Sequence, residues 1–147
     1  MNSLFDDVDR AIIACLVEDA RMSLKTLSGR IGLTSPSTAE RLRRLEERGI
    51  VEGYAAKVNL NAIGYGLQAL TRVRPLPGLL KKVEKYLQAL PACIECDKVT
   101  GEDCFVARLA VRDIAELDVL LDGLAEMAQC NTSIVKSSPV GRRLPGL

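Results

Sequence analysis

The sequence predicts an α+β chain in two parts, an N-terminal three-helix unit followed by a C-terminal ferredoxin-like βαββαβ domain. Three observations carry this expectation. Apolar residues recur at helical spacing through the first fifty residues. Beyond residue 66, strand-like alternation and helical periodicity succeed one another in the order βαββαβ. Glycine and proline fall where one element must give way to the next.

The first helix is expected to start near Asp7 or Asp9, because acids suit a helix N-terminus. Val8, Ile12, Ile13, Leu16 and Val17 form its apolar stripe. Ser23 is a good cap for a second helix that buries Leu24, Leu27 and Ile31, and Gly32-Leu33 breaks it. The third helix takes Thr34 or Ser35 as cap and places Pro36 in its first turn, where a missing N–H is harmless. It runs through Leu42 and Leu45 to Arg48, and Gly49 stops it. Ile50–Val58 reads as a strand or wing, and Asn59–Gly66 as a hinge. Leu67–Arg74, Ile94–Val99, Cys104–Val111 and Thr132–Ser137 read as strands, with helices over Leu79–Leu90 and Ile114–Met127. The expected boundaries are therefore 1–53 for the helical unit, 54–66 for a linker strand and hinge, 67–138 for the βαββαβ domain and 139–147 for a loose tail.

Bulk properties narrow the function. The chain has 147 residues, 48% hydrophobic and 27% charged, which suits a soluble protein with a packed core. No apolar run approaches the roughly 20 residues that span a bilayer. The acidic start Met1-Asn2-Ser3-Leu4-Phe5-Asp6-Asp7 has no basic and apolar export pattern, so the expected location is the cytoplasm, with no membrane partner. The net charge is +1. Any nucleic-acid binding must then come from local placement of charge. There is no histidine, which removes the commonest general acid/base and metal ligand. Neither a catalytic constellation nor a metal or cofactor site is expected.

The third helix carries the functional signal. Thr38, Leu42 and Leu45 share one side, while Ser37, Glu40, Arg44 and Glu47 share the other. Pro36 and Arg43 lie on one flank and Arg41 on the other. A short helix after a tight turn, with another packed behind it, is the helix-turn-helix plan, whose second helix enters the major groove. Ser37 and Arg44 are expected to face bases, since arginine donates twice to guanine O6 and N7. Arg41 and Arg43 are expected to hold phosphates. Ser35 can contact phosphate or base edges, Glu40 can accept from cytosine N4, and Thr34 and Ser23 can anchor the neighbouring backbone. The plainer reading is an exposed helix laced with Glu40–Arg44 and Arg43–Glu47 ion pairs. The three-helix context favours DNA over that reading.

The segments Asp6-Asp7-Val8-Asp9-Arg10-Ala11-Ile12-Ile13, Asp19-Ala20-Arg21-Met22-Ser23, Ile31-Gly32-Leu33-Thr34-Ser35, Arg41-Leu42-Arg43-Arg44-Leu45-Glu46, Gly49-Ile50-Val51-Glu52-Gly53-Tyr54 and Val99-Thr100-Gly101-Glu102-Asp103 together resemble the leucine-responsive/asparagine-synthetase regulator family, Lrp/AsnC. The resemblance runs through nearly the whole chain in order. It implies a winged helix-turn-helix, a RAM-type effector and oligomerisation domain, binding to double-stranded DNA, and homodimers that assemble further, often to octamers. It also implies an amino-acid effector near the Gly101 turn. The chain departs from the family at Glu40, where a basic residue is common. It departs again at Cys104, where an aspartate often follows the glycine by three, and in a shortened segment before the last strand.

An amino-acid effector needs donors for its carboxylate and acceptors for its ammonium. Thr100, Gly101, Glu102, Asp103 and Cys104 offer backbone groups and carboxylates, and Thr132 and Ser133 add hydroxyls. The plainer reading is a β-turn rich in turn formers. The rival function is a small-molecule-sensing or interaction module that does not bind DNA. The five cysteines are expected to be reduced and mostly buried. Cys93-Ile94-Glu95-Cys96 is a C-x-x-C on an expected strand, where residues three apart point to opposite faces, so burial is expected there and not redox or metal chemistry.

Overall fold

A computed structural model describes residues 6–146. Residues 1–5 of the expected helical unit and Leu147 of the expected tail lie outside the described residues. The chain divides into two compact units, one ending at Lys57 and also taking in Leu144, the other Val58–Arg143.

The first unit contains α1 (Asp7–Glu18), α2 (Leu24–Ile31) and α3 (Ser35–Glu47). Side chains cap each of them. Asp6 accepts from the Asp9 N–H and Asp9 reaches back to the Asp6 N–H, a reciprocal capping box. Ser23 accepts from the Thr26 N–H, and Thr34 accepts from the Ser37 N–H. Gly32 adopts φ 71°, the left-handed turn that lets α3 leave α2 sharply. At the end of α3, Gly49 donates to the Glu46 carbonyl and Ile50 to the Leu45 carbonyl, both at 2.9 Å, which satisfies two otherwise orphaned carbonyls. The core rests on four buried side chains, Ile12, Ile13, Leu27 and Leu45. In a core this small, truncating any one to alanine costs about 2–5 kcal/mol.

The segment expected as a strand or wing, Ile50–Val58, forms no strand. Among the described residues no strand pairs with it.

The second unit contains a short 3-10 turn (Asn61–Ile63), β1 (Leu67–Pro75), α4 (Leu80–Ala89), β2 (Cys93–Lys98), β3 (Phe105–Val111), α5 (Ile114–Ala125) and β4 (Ala128–Ile134). The sheet is antiparallel in the order β2-β3-β1-β4, the ferredoxin-like topology expected. Ala69 and Val73 of β1 and Phe105, Ala107, Leu109 and Val111 of β3 pack on one face with Val83 and Leu87 of α4 and Leu117 and Leu124 of α5. Tyr86 lies against Gly123 of α5 and donates to the Leu120 carbonyl at 3.3 Å. The opposite face carries Leu70, Arg72, Arg74, Val106 and Arg108, which alternate with the packed positions.

Two expectations change. The last strand begins at Ala128, four residues before the expected Thr132, because it follows α5 with almost no loop. Its exposed polar run Gln129-Cys130-Asn131 hides the alternation. The second change concerns the cysteines. A bulge between Cys93 and Glu95 resets the phase of β2, so Cys93 stands opposite Leu109 and Cys96 opposite Ala107. Both partners belong to the packed face, so the two cysteines share one side of the strand instead of opposing ones. The expected burial does not hold either. All five cysteines are free; Cys96 and Cys130 are exposed, and Cys15, Cys93 and Cys104 are half-buried.

Candidate nucleic-acid interface and effector site

On α3, Thr38 is fully buried and donates through Oγ1 to the Thr34 carbonyl at 2.9 Å. Leu45 is buried and Leu42 half-buried. This seats the inner face as the spacing requires and turns Ser37, Arg43, Arg44 and Glu47 outward. Arg43 and Arg44 side chains are 55% and 62% exposed.

The outer face is internally paired. Glu40 receives Arg43 at 2.8 and 3.0 Å and Arg44 Nε at 3.1 Å, while Arg43 also pairs with Glu47. The Arg43 and Arg44 guanidiniums hold the Glu40 carboxyl down at a pKa of about 2. Glu40 and Glu47 together raise the already high pKa of Arg43. Both ion pairs of the plainer reading thus exist, on a helix that also has the outward arginines a base reader needs.

Arg41 differs from its neighbours. Its Nη1 donates to Asp6 Oδ2 at 2.8 Å and Asp9 Oδ1 at 2.9 Å. Asp9 is buried, at 8% exposure. The Asp9 N–H, and after it Arg41, holds the Asp6 carboxyl below its usual range. The guanidinium expected on phosphate is therefore taken up by two carboxylates of α1, and it ties α3 to the start of that helix. Ser35 Oγ meets Ser28 Oγ at 3.2 Å at the turn, and Thr34 Oγ1 donates to Ser37 Oγ at 2.9 Å. Ser23 Oγ lies 2.8 Å from Thr26 Oγ1 at the head of α2. Tyr54 donates to Glu46 Oε1 at 2.7 Å, and burial with this bond pushes the phenol up to about 12.

In the second unit, Thr100–Cys104 join β2 to β3, with Gly101 at φ 105°. Thr100, Gly101 and Glu102 are exposed, and Asp103 and Cys104 are half-buried. Arg74 pairs with Glu102 and lies 3.7 Å from Asp103. A hollow of about 310 Å³ opens here, lined by Arg72, Arg74, Asp103, Gln129, Cys130 and Asn131. Ser133 lies nearby, in a second hollow that shares Arg72 and Asn131. Thr132 does not join them. It points to the helix side of the sheet, where its Oγ1 meets that of fully buried Thr71 at 3.0 Å.

The sequence reading missed Arg72 and Arg74. Their signal is two arginines alternating with buried Thr71 and Val73, which sets both on one face of a strand.

The chain matches the AsnC-type helix-turn-helix domain over residues 5–46 and the Lrp/AsnC ligand binding domain over residues 68–145. It is 34% identical to the HTH-type transcriptional regulator LrpA of Mycobacterium tuberculosis, over 90% of this chain and 89% of that protein. A feast or famine regulatory protein from M. tuberculosis, solved in complex with L-methionine, is 30% identical with a TM-score of 0.87, covering 95% of this chain and 97% of that one. A transcriptional regulator of Neisseria meningitidis, also solved with L-methionine, is 27% identical with a TM-score of 0.89, covering 96% of each chain.

Proposed function

Since this chain belongs to the Lrp/AsnC family of transcriptional regulators, we propose that it reads double-stranded DNA through α3 and takes an amino-acid effector at the β2–β3 turn. The observation that carries the first half is the division of α3, with Thr38 and Leu45 buried and Ser37, Arg43 and Arg44 outward after the Gly32 turn. Ser37 and Arg44 read base edges. Arg43 holds phosphate, and Ser23, Thr34 and Ser35 sit where the backbone passes the helix starts. Glu40 must let go of at least one arginine as the helix docks, and is then free to accept from cytosine N4. Arg41 acts as a strut to α1 and not as a phosphate clamp.

For the effector, Arg72 supplies the donors that a carboxylate needs, while Asp103 and Glu102 supply charge for an ammonium. Gly101, Thr100 and Cys104 shape the turn, and Ser133 borders it. Two relatives solved with L-methionine make that amino acid the first to try.

Both helices cover one face of the sheet, and the other face carries Leu70 and Val106. We propose that this face pairs two copies, and that dimers assemble to an octamer in the cytoplasm. The chain acts as a regulator with no catalytic step. Among the described residues no helix is long and apolar enough to cross a membrane.

The test is binding of the full chain to the DNA upstream of its own gene, with and without L-methionine. Retarded, footprinted DNA with dyad symmetry supports the reading. Equal affinity for that DNA and for random sequence overturns it.

A further inference from the structure

We propose that Cys93 and Cys96 form a reversible redox site, a dithiol on the edge strand β2 that exchanges with low-molecular-weight disulfides and closes to an intramolecular disulfide.

The geometry begins with the bulge. In a regular strand the two residues would face apart; here the extra residue brings both to the packed side, opposite Leu109 and Ala107. Those partners are two residues apart on β3, so the register sets the cysteine Cα atoms about 6.6–6.8 Å apart, at the upper end of what a disulfide bridges. The thiols sit close enough that each alters the other's ionisation. Both line one cavity of about 300 Å³ between β2 and α4, together with Glu84, Leu87, Lys98 and Phe105. That cavity gives a small disulfide access to the pair. A disulfide needs the Cβ atoms about 3.5–4.5 Å apart, so the bulged segment must contract, and β2, with a neighbour on one side only, gives up few hydrogen bonds in doing so.

The other thiols are not placed to compete. Cys130 is on β4, at the far edge of the sheet. Cys104 lies in the connection between β2 and β3 and does not line the cavity that holds Cys93 and Cys96. Cys15 belongs to the first unit.

In the reaction, the exposed Cys96 gives up its proton and its thiolate attacks one sulfur of the small disulfide. That S–S bond breaks, one small thiolate leaves, and a mixed disulfide remains on Cys96. The Cys93 thiolate then attacks Cys96 Sγ and expels the second small thiolate. The protein loses two electrons and two protons; the small disulfide gains both and leaves as two thiols. Burial pushes the Cys96 thiol up to about 11, aided by charge on Cys93, Asp97 and Glu84, and burial raises Cys93 as well. The charged groups around the pair are Glu84 on α4 and Glu95, Asp97 and Lys98 on β2. The acids hold the thiols protonated, and exchange follows the thiolate fraction, so it accelerates as pH rises toward about 11.

The test incubates the full reduced chain with oxidised glutathione, quenches it with acid, alkylates the remaining thiols, and maps the tryptic segment 86–98, which holds both cysteines. The expected result is loss of two hydrogens, with neither Cys93 nor Cys96 alkylated until a reductant is added. Cys93→Ser should retain one glutathione on Cys96. Alkylation of both residues in the oxidised wild type, a bond from either to another cysteine, or no adduct on Cys93→Ser would each overturn the proposal. Mass mapping of the wild type decides the matter even if a variant folds poorly, and none of these readouts depends on DNA or effector binding.

Discussion

Arg41 on α3 reaches back to Asp9 on α1, donating from Nη1 at 2.9 Å to a carboxylate that is almost entirely buried. The pair joins α3 to the first turn of α1, and its second bond, to Asp6, closes the capping box from outside. Removing the guanidinium leaves Asp9 buried without its cation, the expensive way to break such a pair. Arg41→Ala is expected to lower stability by about 1–3 kcal/mol in urea unfolding. The salt dependence of DNA binding should be unchanged, since no phosphate contact is lost. A reduced salt slope would return Arg41 to the phosphate backbone.

Arg44→Ala is expected to weaken specific DNA binding by about 1–3 kcal/mol and to relax one base preference. Arg43→Ala should weaken specific and random DNA alike and reduce the salt slope by about one. Competition gel shifts across a salt series measure both. Equal loss on both DNAs for Arg44→Ala would remove it from base reading.

Glu40 titrates at about 2 in the folded chain, against an ordinary value of 4.5, because Arg43 and Arg44 donate to it. A lowered folded pKa favours the folded state above the unfolded value. The contribution of Glu40 should therefore be complete above about pH 4.5, fade as the pH falls, and vanish once it is protonated near pH 2. Carboxyl NMR shifts through an acid titration check it, and a Glu40 midpoint near 4.5 would show that the pairs do not persist in solution.

Asp103→Ala is expected to alter the effector titration without changing the oligomer, and Arg72→Ala to weaken effector binding at least tenfold by removing the carboxylate's donor. Calorimetry with L-methionine, run beside light scattering, separates the two effects. An unchanged titration in both variants would place the effector elsewhere.

Gly123→Ala usually helps a helix by up to about 1 kcal/mol. Here the added methyl meets the Tyr86 hydroxyl and ring. The substitution should destabilise the domain, and a raised melting temperature would show that Tyr86 moves aside freely.

Local rules were enough where one residue type does one job. Ser23 and Thr34 cap two helices, and Gly32 and Gly49 end two, as their chemistry requires. The misses arise where distant strands decide. The bulge at Ile94 depends on how β2 registers against β3, and nothing in C-x-x-C announces it. Thr132 looked like an effector hydroxyl, but its register opposite buried Thr71 turns it to the helix side. Arg72 and Arg74 alternated in plain view, but which face of β1 stays uncovered is fixed by both helices packing on the other. The fate of Arg41 needed α1 and α3 placed together.

The paired side chains on α3 have a genomic consequence. Arg43 and Arg44 are balanced there by Glu40 and Glu47, so the helix proposed to meet DNA is nearly neutral. Such a surface adheres weakly to arbitrary chromosome, which offers millions of decoy positions for every true operator. On that proposed docking, fewer copies of the regulator would be sequestered on irrelevant sequence.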